Sequence, residues 1–319
     1  MITRVPGFAV GHASDFKNVT GCTVILCPPG TIGSLDVRGS AAGTRQIDAL
    51  LDFHIVNEVH AVLLCGGSAF GLDAAGGVME YLEGRGRGFD VAITRVPIVP
   101  TAVIYDLSLG NCRVRPDKAM GYAACEAART EPQGDGSLGV GVGASVGKLL
   151  GIRQATKGGL GTSFMEAPDG LKVGALAVVN AFGDVVNPAT GEIVAGVRTS
   201  PESKEFADAA RLIRQGVVRR RFGEPNTTIG VVATNAVLTR EEAQKIAQMG
   251  HNALARTIRP VHTLFDGDIV FVLARPEVKA DLHLLGLLAE KVLEEAILSG
   301  VKSAHGLGVL PCYQDLQAA

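Results

Sequence analysis

The chain has 319 residues, 47% of them hydrophobic and 19% charged, with a formal net charge of -2. That length is enough for a full buried core, within one α/β domain or two, and the near-neutral charge removes the basic footprint that nucleic-acid binding requires. Tryptophan is absent and aromatic content is 5%, which argues against a stacking platform for bases, while 41 glycines point to many tight turns and close backbone approaches.

The opening MITRVPGFAV lacks the apolar core of a signal peptide, and no apolar run approaches the roughly 18 residues of a membrane span. A cytoplasmic protein with no membrane partner is expected. TGCTVIL (Thr20 to Leu26) reads as a strand ended by CPPG, and HAVLLCGGS (His60 to Ser68) as a buried strand running into a turn. A helix is expected from near Ser68, with Ala74, Ala75, Gly76 and Gly77 small enough for close packing against a sheet. VGALAVVNAFGDVVN and TTIGVVATNAVL are apolar and rich in β-branched residues, as buried strands are. Between Thr239 and Ile258, the residues Ala243, Ile246, Ala247, Leu254 and Ile258 recur at helical spacing, and Thr239 with Glu242 forms a capping box. LFDGDIVFVLA then predicts strand, Asp-Gly turn and strand, and Glu277 to Leu298 a second long helix.

One stretch differs from the rest. Thr199 to Glu224 is the most charged segment, ends in Arg219, Arg220 and Arg221, and leads directly into EPNTTIGVV. A charge run of this kind is by default a solvated helix and loop, and also what a cleavage site needs beside it. It marks the one boundary expected here, between two polypeptides of one core.

The glycine-rich motifs fail as nucleotide loops. In GVGVGASVGK, Val142 occupies the first P-loop glycine position and Leu149 follows Lys148 where Ser or Thr is required. GGSAFG resembles a nucleophile elbow but has Phe70 where the second glycine belongs, so Ser68 reads as a helix cap or a pocket-lining hydroxyl. Cys22, Cys27, Cys65, Cys112, Cys125 and Cys312 contain no C-x-x-C pair, and the seven histidines are scattered, so buried free thiols and no metal site or cofactor are expected. The paired threonines Thr227 and Thr228 carry a different possibility. A threonine freed at a chain start supplies a nucleophilic hydroxyl and, in its own α-amine, the base to activate it, because that amine titrates near pH 8.

The ordered blocks VPGFAVGHASD, TGCTVIL, DVRGSAAGTR, LLCGGSAFGLDAA, VPIVPTAVIYDL, GVGASVGK, KGGLGTS, NAFGDVVNPATG, NTTIGVVATNA and IRPVHTLFDGD together resemble the P1 peptidases (peptidase family S58). That family includes D-aminopeptidases, β-peptidyl aminopeptidases and 6-aminohexanoate (nylon-oligomer) hydrolases. The resemblance implies a four-layer αββα sandwich of the N-terminal-nucleophile-hydrolase type. It also implies a chain that cuts itself between Asn226 and Thr227 into 1–226 and 227–319. Thr227 would be the nucleophile, with Thr228 its rival. Lys157 of TKGGLGTS would be the active-site lysine, and Asn187 of VVNPATG the oxyanion donor. Asp266 and Asp268 of FDGD would orient the new terminus, and Tyr105 is a further oxyanion candidate outside the catalytic set. A threonine nucleophile with two aspartates is closer to the nylon-hydrolase branch than to the β-peptidyl branch, which uses serine with serine and glutamate. The resemblance further implies a homo-oligomer, a tetramer of processed pairs, acting on a small peptide or amide oligomer. The alternatives are an acyltransferase of the ornithine acetyltransferase type, a nucleotide-binding protein and an unprocessed homologue without a working site.

Overall fold

The computed structural model describes residues 1–51, 54–217 and 225–317. The Arg219 to Arg221 end of the charged strip therefore lies outside the described residues. Two five-stranded sheets dominate the molecule. The first contains β1 (Ala9–Asp15), β2 (Thr20–Leu26), β4 (Thr44–Arg45), β5 (Ala61–Cys65) and β6 (Thr101–Val103) in the order β1-β2-β5-β6-β4. The second contains β3 (Ile32–Val37), β7 (Leu160–Glu166), β8 (Lys172–Asn180), β9 (Thr227–Ala236) and β10 (Ile269–Val278) in the order β7-β8-β9-β10-β3. Each sheet has one parallel pair, β5 with β6 and β9 with β10, and the remaining pairs are antiparallel. A parallel pair needs a crossover. Helix α1 (Ala74–Glu83) lies in the first crossover and helix α3 (Arg240–Thr257) in the second.

Strand alternation sorts the side chains into layers. From β9, Ile229, Val231 and Ala233 join Ile25, Val62 and Leu64 of the first sheet in the central core. Val232 and Ala236 turn the other way, onto α3 and helix α4 (Leu282–Lys302). Cys22, Val24, Leu63 and Cys65 pack likewise under α1 and helix α2 (Lys118–Glu126). The order helix, sheet, sheet, helix is the expected four-layer sandwich, and the central layer is sealed from both sides by apolar burial.

Several elements agree with the sequence reading. Strand β2 runs from Thr20 to Leu26, and α3 carries the Thr239–Glu242 capping box with Ala243, Ile246, Ala247 and Leu254 buried. Five cysteines are buried and Cys112 is exposed, all of them free thiols. One expectation is widened and two need correcting. The small residues of α1 serve α2 as well as the sheet. A Cβ on Gly77 would lie 1.8 Å from the Lys118 carbonyl oxygen, and one on Gly121 2.0 Å from that of Ala74, so the two backbones touch. The second long helix starts at Leu282, after Asp281 has capped it by accepting from the Leu284 N–H. β10 continues to Val278 because that residue pairs with Ala236 on β9. Finally, LFDGD makes no hairpin. Phe265 and Gly267 pair instead with Asn226, so Leu264 to Asp268 extends the parallel β9–β10 edge outward.

Candidate active site

Thr227 is the first residue of β9 and its odd register places it on the central-core face, directly opposite Asn180 at the end of β8. It is 3% exposed and Asn226 is fully buried. The Thr227 hydroxyl donates to the Asn226 carbonyl oxygen at 2.6 Å, and the Gly267 N–H donates to the same oxygen at 2.7 Å. The carbonyl preceding Thr227 thus has a hydroxyl beside it and a backbone donor on it. Thr228 has the opposite register, shared with Gly230, whose missing Cβ would touch Leu293 of α4. The Thr228 hydroxyl is buried without a hydrogen-bond partner among the described residues.

Both aspartates of FDGD are buried beside this junction, Asp268 holding the Thr228 N–H that follows it and Asp266 holding the Phe182 N–H and Thr263. Asp266 Oδ1 accepts from the Phe182 N–H at 3.1 Å, and its Oδ2 from the Thr263 N–H and hydroxyl at 3.0 and 2.6 Å. Burial first, and then the charge of Asp268, push its carboxyl up to about 6. Asp268 Oδ1 accepts from the Thr228 N–H at 2.7 Å, and Oδ2 accepts from the N–H and ring of His262. Their neighbours restrict both acids to narrow geometries, as substrate-orienting or proton-handling groups require.

The structure brings a different lysine and a different asparagine to Thr227 from those expected. Lys148, 1% exposed, donates from Nζ to the Asn180 side-chain oxygen at 2.6 Å and to the Asn180 carbonyl at 3.2 Å. Ser145 N–H also donates to Asn180 Oδ1, at 3.1 Å. Two donors on one atom identify it as the oxygen of the amide. The amide nitrogen donates one of its two N–H groups to the Tyr105 carbonyl, at 3.3 Å. Tyr105 therefore meets Asn180 through its backbone.

Lys157 is also buried, but its ammonium donates to the carbonyls of Gly141, Ala144 and Gly158 at 3.0, 2.8 and 2.9 Å. Burial lowers its pKa to about 7, against the pull of the Asp106 carboxylate. Asn187 closes its own Asn-Pro turn, its side-chain oxygen accepting from the Ala189 N–H at 3.0 Å. That turn follows a short strand, Asp184–Val186, whose partners Ile193–Ala195 and Ile258–Arg259 belong to a separate three-stranded sheet. Ser68 makes no side-chain cap; Gly67 occupies the N-cap position.

The difference between the two readings has a simple source. Val-Val-Asn occurs twice, at 178–180 and 185–187, and two buried lysines stand nine residues apart. One signal was readable: a lysine ending the buried run GVGVGASVGK needs a partner, and a fully apolar strand ending in asparagine offers one. Among the described residues, no group of three or more His, Cys, Asp or Glu side chains is arranged to hold a metal ion. No described helix is long and apolar enough to cross a membrane.

Comparison with known proteins agrees with this architecture. The model of peptidase family S58 matches residues 1–309. An uncharacterized aminopeptidase of Mycobacterium tuberculosis is 41% identical over 99% of this chain and 97% of its own. A 6-aminohexanoate-oligomer endohydrolase of Kocuria sp. is 32% identical over 93% of this chain and 84% of its own. Among solved structures, a Burkholderia sp. beta-aminopeptidase superimposes with a TM-score of 0.71 at 19% identity, covering 99% of this chain and 91% of its own. The L-aminopeptidase D-Ala-esterase/amidase of Ochrobactrum anthropi, described as a new variant among the Ntn hydrolase fold, gives the same TM-score at 17% identity over 99% and 92%. At such low identity the two structures speak for the fold alone, and that fold is the Ntn hydrolase sandwich.

Proposed function

This chain belongs to peptidase family S58 and is a hydrolase of peptide or amide bonds, and we propose that it matures by cutting itself between Asn226 and Thr227 and then works through the freed Thr227. The observation that carries this reading is the Asn226 carbonyl, flanked by the Thr227 hydroxyl and held by the Gly267 N–H. In the cut, Thr227 Oγ1 attacks the Asn226 carbonyl carbon, and the Gly267 N–H stabilises the oxygen as it becomes anionic. The C–N bond breaks, the hydroxyl proton ends on the departing nitrogen, and an ester joins Asn226 to Thr227 Oγ1. Water opens that ester, leaving an Asn226 carboxylate and a free α-amine on Thr227.

In the mature enzyme that amine takes the hydroxyl proton as Oγ1 attacks a substrate carbonyl. It then returns a proton to the leaving amine, and water releases the acyl group. The Lys148 ammonium, fixed on Asn180, supports this role because a nearby positive charge disfavours protonation of the new amine. The second amide N–H of Asn180 would serve the oxyanion, an effect worth about 3 kcal/mol at comparable sites. Asp268 would hold the N–H that follows the nucleophile, and Asp266 the Phe182 N–H two residues beyond Asn180. Lys148 and Asn180 thus take the roles that the sequence assigned to Lys157 and Asn187. The aminohexanoate hydrolases among the relatives support an amide oligomer or short peptide as substrate, and we read the working unit as a cytoplasmic homo-oligomer of processed pairs.

Intact-mass measurement of the wild-type protein beside Thr227→Ala tests the proposal. Wild type is expected as two polypeptides, 1–226 and 227–319, and the variant as one inactive chain. Active wild-type protein that stays uncut, or a variant that still divides, would overturn it.

A further inference from the structure

We propose that His262 is a positioning residue for this chemistry, acting through Asp268. The inference rests on the reading of Thr227 as the nucleophile and extends it to the residue that aims the nucleophile's backbone. Asp268 Oδ2 accepts twice from one residue, from the His262 N–H at 3.1 Å and from its ring Nδ1 at 2.9 Å. A carboxylate oxygen accepts only from a protonated ring nitrogen, so Nδ1 carries the His262 proton. The backbone conformation that permits this double grip is left-handed, with φ of 54°, a region that a bulky residue enters only when its surroundings hold it there.

The far side of the ring agrees with that tautomer. His262 Nε2 is buried without a hydrogen-bond partner among the described residues, and the edge of His251 stacks against it with ring centroids 4.9 Å apart. His251 is fully buried and its Nε2 lies 3.0 Å from the Asp36 carbonyl, which makes Nε2 its donor and leaves Nδ1 bare. With Nε2 unpartnered, the hydrogen bond that the His262 ring makes among the described residues is the one to Asp268. With Oδ2 gripped, Oδ1 is aimed at the Thr228 N–H, 2.7 Å away. That N–H belongs to the peptide unit formed with the Thr227 carbonyl. The chain of contacts therefore runs from His251 through His262 and Asp268 to the backbone of the nucleophile.

Two variants separate this role from a structural one. His262→Gly keeps the left-handed backbone and deletes the ring donor, whereas His262→Asn places an amide N–H near the Nδ1 position and tolerates the same conformation. We expect His262→Gly to slow the appearance of the two polypeptides and to lower kcat roughly tenfold to a hundredfold at nearly unchanged KM. His262→Asn should recover most of both rates. Wild-type rates in His262→Gly would overturn the proposal. So would equal losses in the two variants accompanied by equal falls in Tm, since that pattern means the ring acts only as packing. Thr227→Ala measured alongside keeps the two readings distinct. Division of that variant sinks the nucleophile assignment whatever His262 does, while a fully active His262→Gly beside an uncut Thr227→Ala sinks only the present one.

Discussion

Two buried lysines nine residues apart flank one short antiparallel ladder: Lys157 lies in it, pairing with Ser145 as Thr156 does with Val146, and Lys148 follows two residues after the other arm. Lys157 spends its ammonium on three backbone carbonyls and carries the Asp106 carboxylate nearby. Those contacts tie the loop Gly141–Ala144 to the turn at Gly158, and they reach no side chain that changes bonds. Lys148 ends on Asn180, a side-chain amide facing Thr227 across two strands. Both residues are almost wholly buried; the atoms their ammonium groups touch are different. On the proposed mechanism, the lysine on backbone is a clamp and the one on the amide beside Thr227 is a tuning charge.

The strongest way to break this contrast is to remove each ammonium in turn. Lys148→Met is expected to cut turnover by roughly a thousandfold, because the new amine of the processed chain loses the charge that keeps it unprotonated. Its Tm should change little. Lys157→Met should do the reverse, lowering stability by about 3–5 kcal/mol as buried carbonyls and Asp106 lose their partner. Activity per folded molecule should stay within about threefold, since no reacting atom is near. Denaturant unfolding and active-site-normalised kcat on both variants decide it. Matching losses of kcat would abolish the distinction.

The two Val-Val-Asn triplets offer a second, smaller contrast. Asn180→Ala should lower kcat by about a hundredfold to a thousandfold, the cost of one oxyanion donor, while Asn187→Ala only loosens an exposed turn and should lower kcat less than about twofold. Steady-state kinetics on both is sufficient. The same pair explains what could be read from residues alone. The sandwich, β2, the α3 cap and the candidate positions Thr227, Asp266 and Asp268, which the structure brings to one junction, could be read because period, capping chemistry and ordered motif blocks are local properties. Asn180 and Asn187 have identical local sequence on their N-terminal side, and only the long-range pairing of β8 with β9 selects between them. FDGD was misread for a related reason. An Asp-Gly pair favours a hairpin locally, but here Phe265 and Gly267 give their backbone bonds to Asn226, forty residues away in sequence.

The smallest expected effect concerns the acids and turns on a sign. Asp266 is raised from the ordinary 3.8 to about 6 by burial and by the charge of Asp268, so between those values the folded chain holds a proton that the unfolded chain has released. Stability contributed by that proton is present at low pH and is lost as pH rises through about 6. If the ionised pair is the working form, self-cleavage changes in the opposite direction, slowing as pH falls through the same window. Stability should therefore be followed as Tm in Thr227→Ala, where cutting cannot interfere, and processing as the rate of wild-type division, both from roughly pH 4.5 to 7.5. Asp266→Asn, combined with Thr227→Ala, should flatten the Tm profile, and alone it should remove the acid limb of processing along with most of the rate. A Tm profile unaltered by Asp266→Asn would mean that the carboxyl is not the group titrating there. A crossing of the two profiles would mark Asp266 as an acid held in its charged form, at a cost in folding stability, beside the proposed nucleophile.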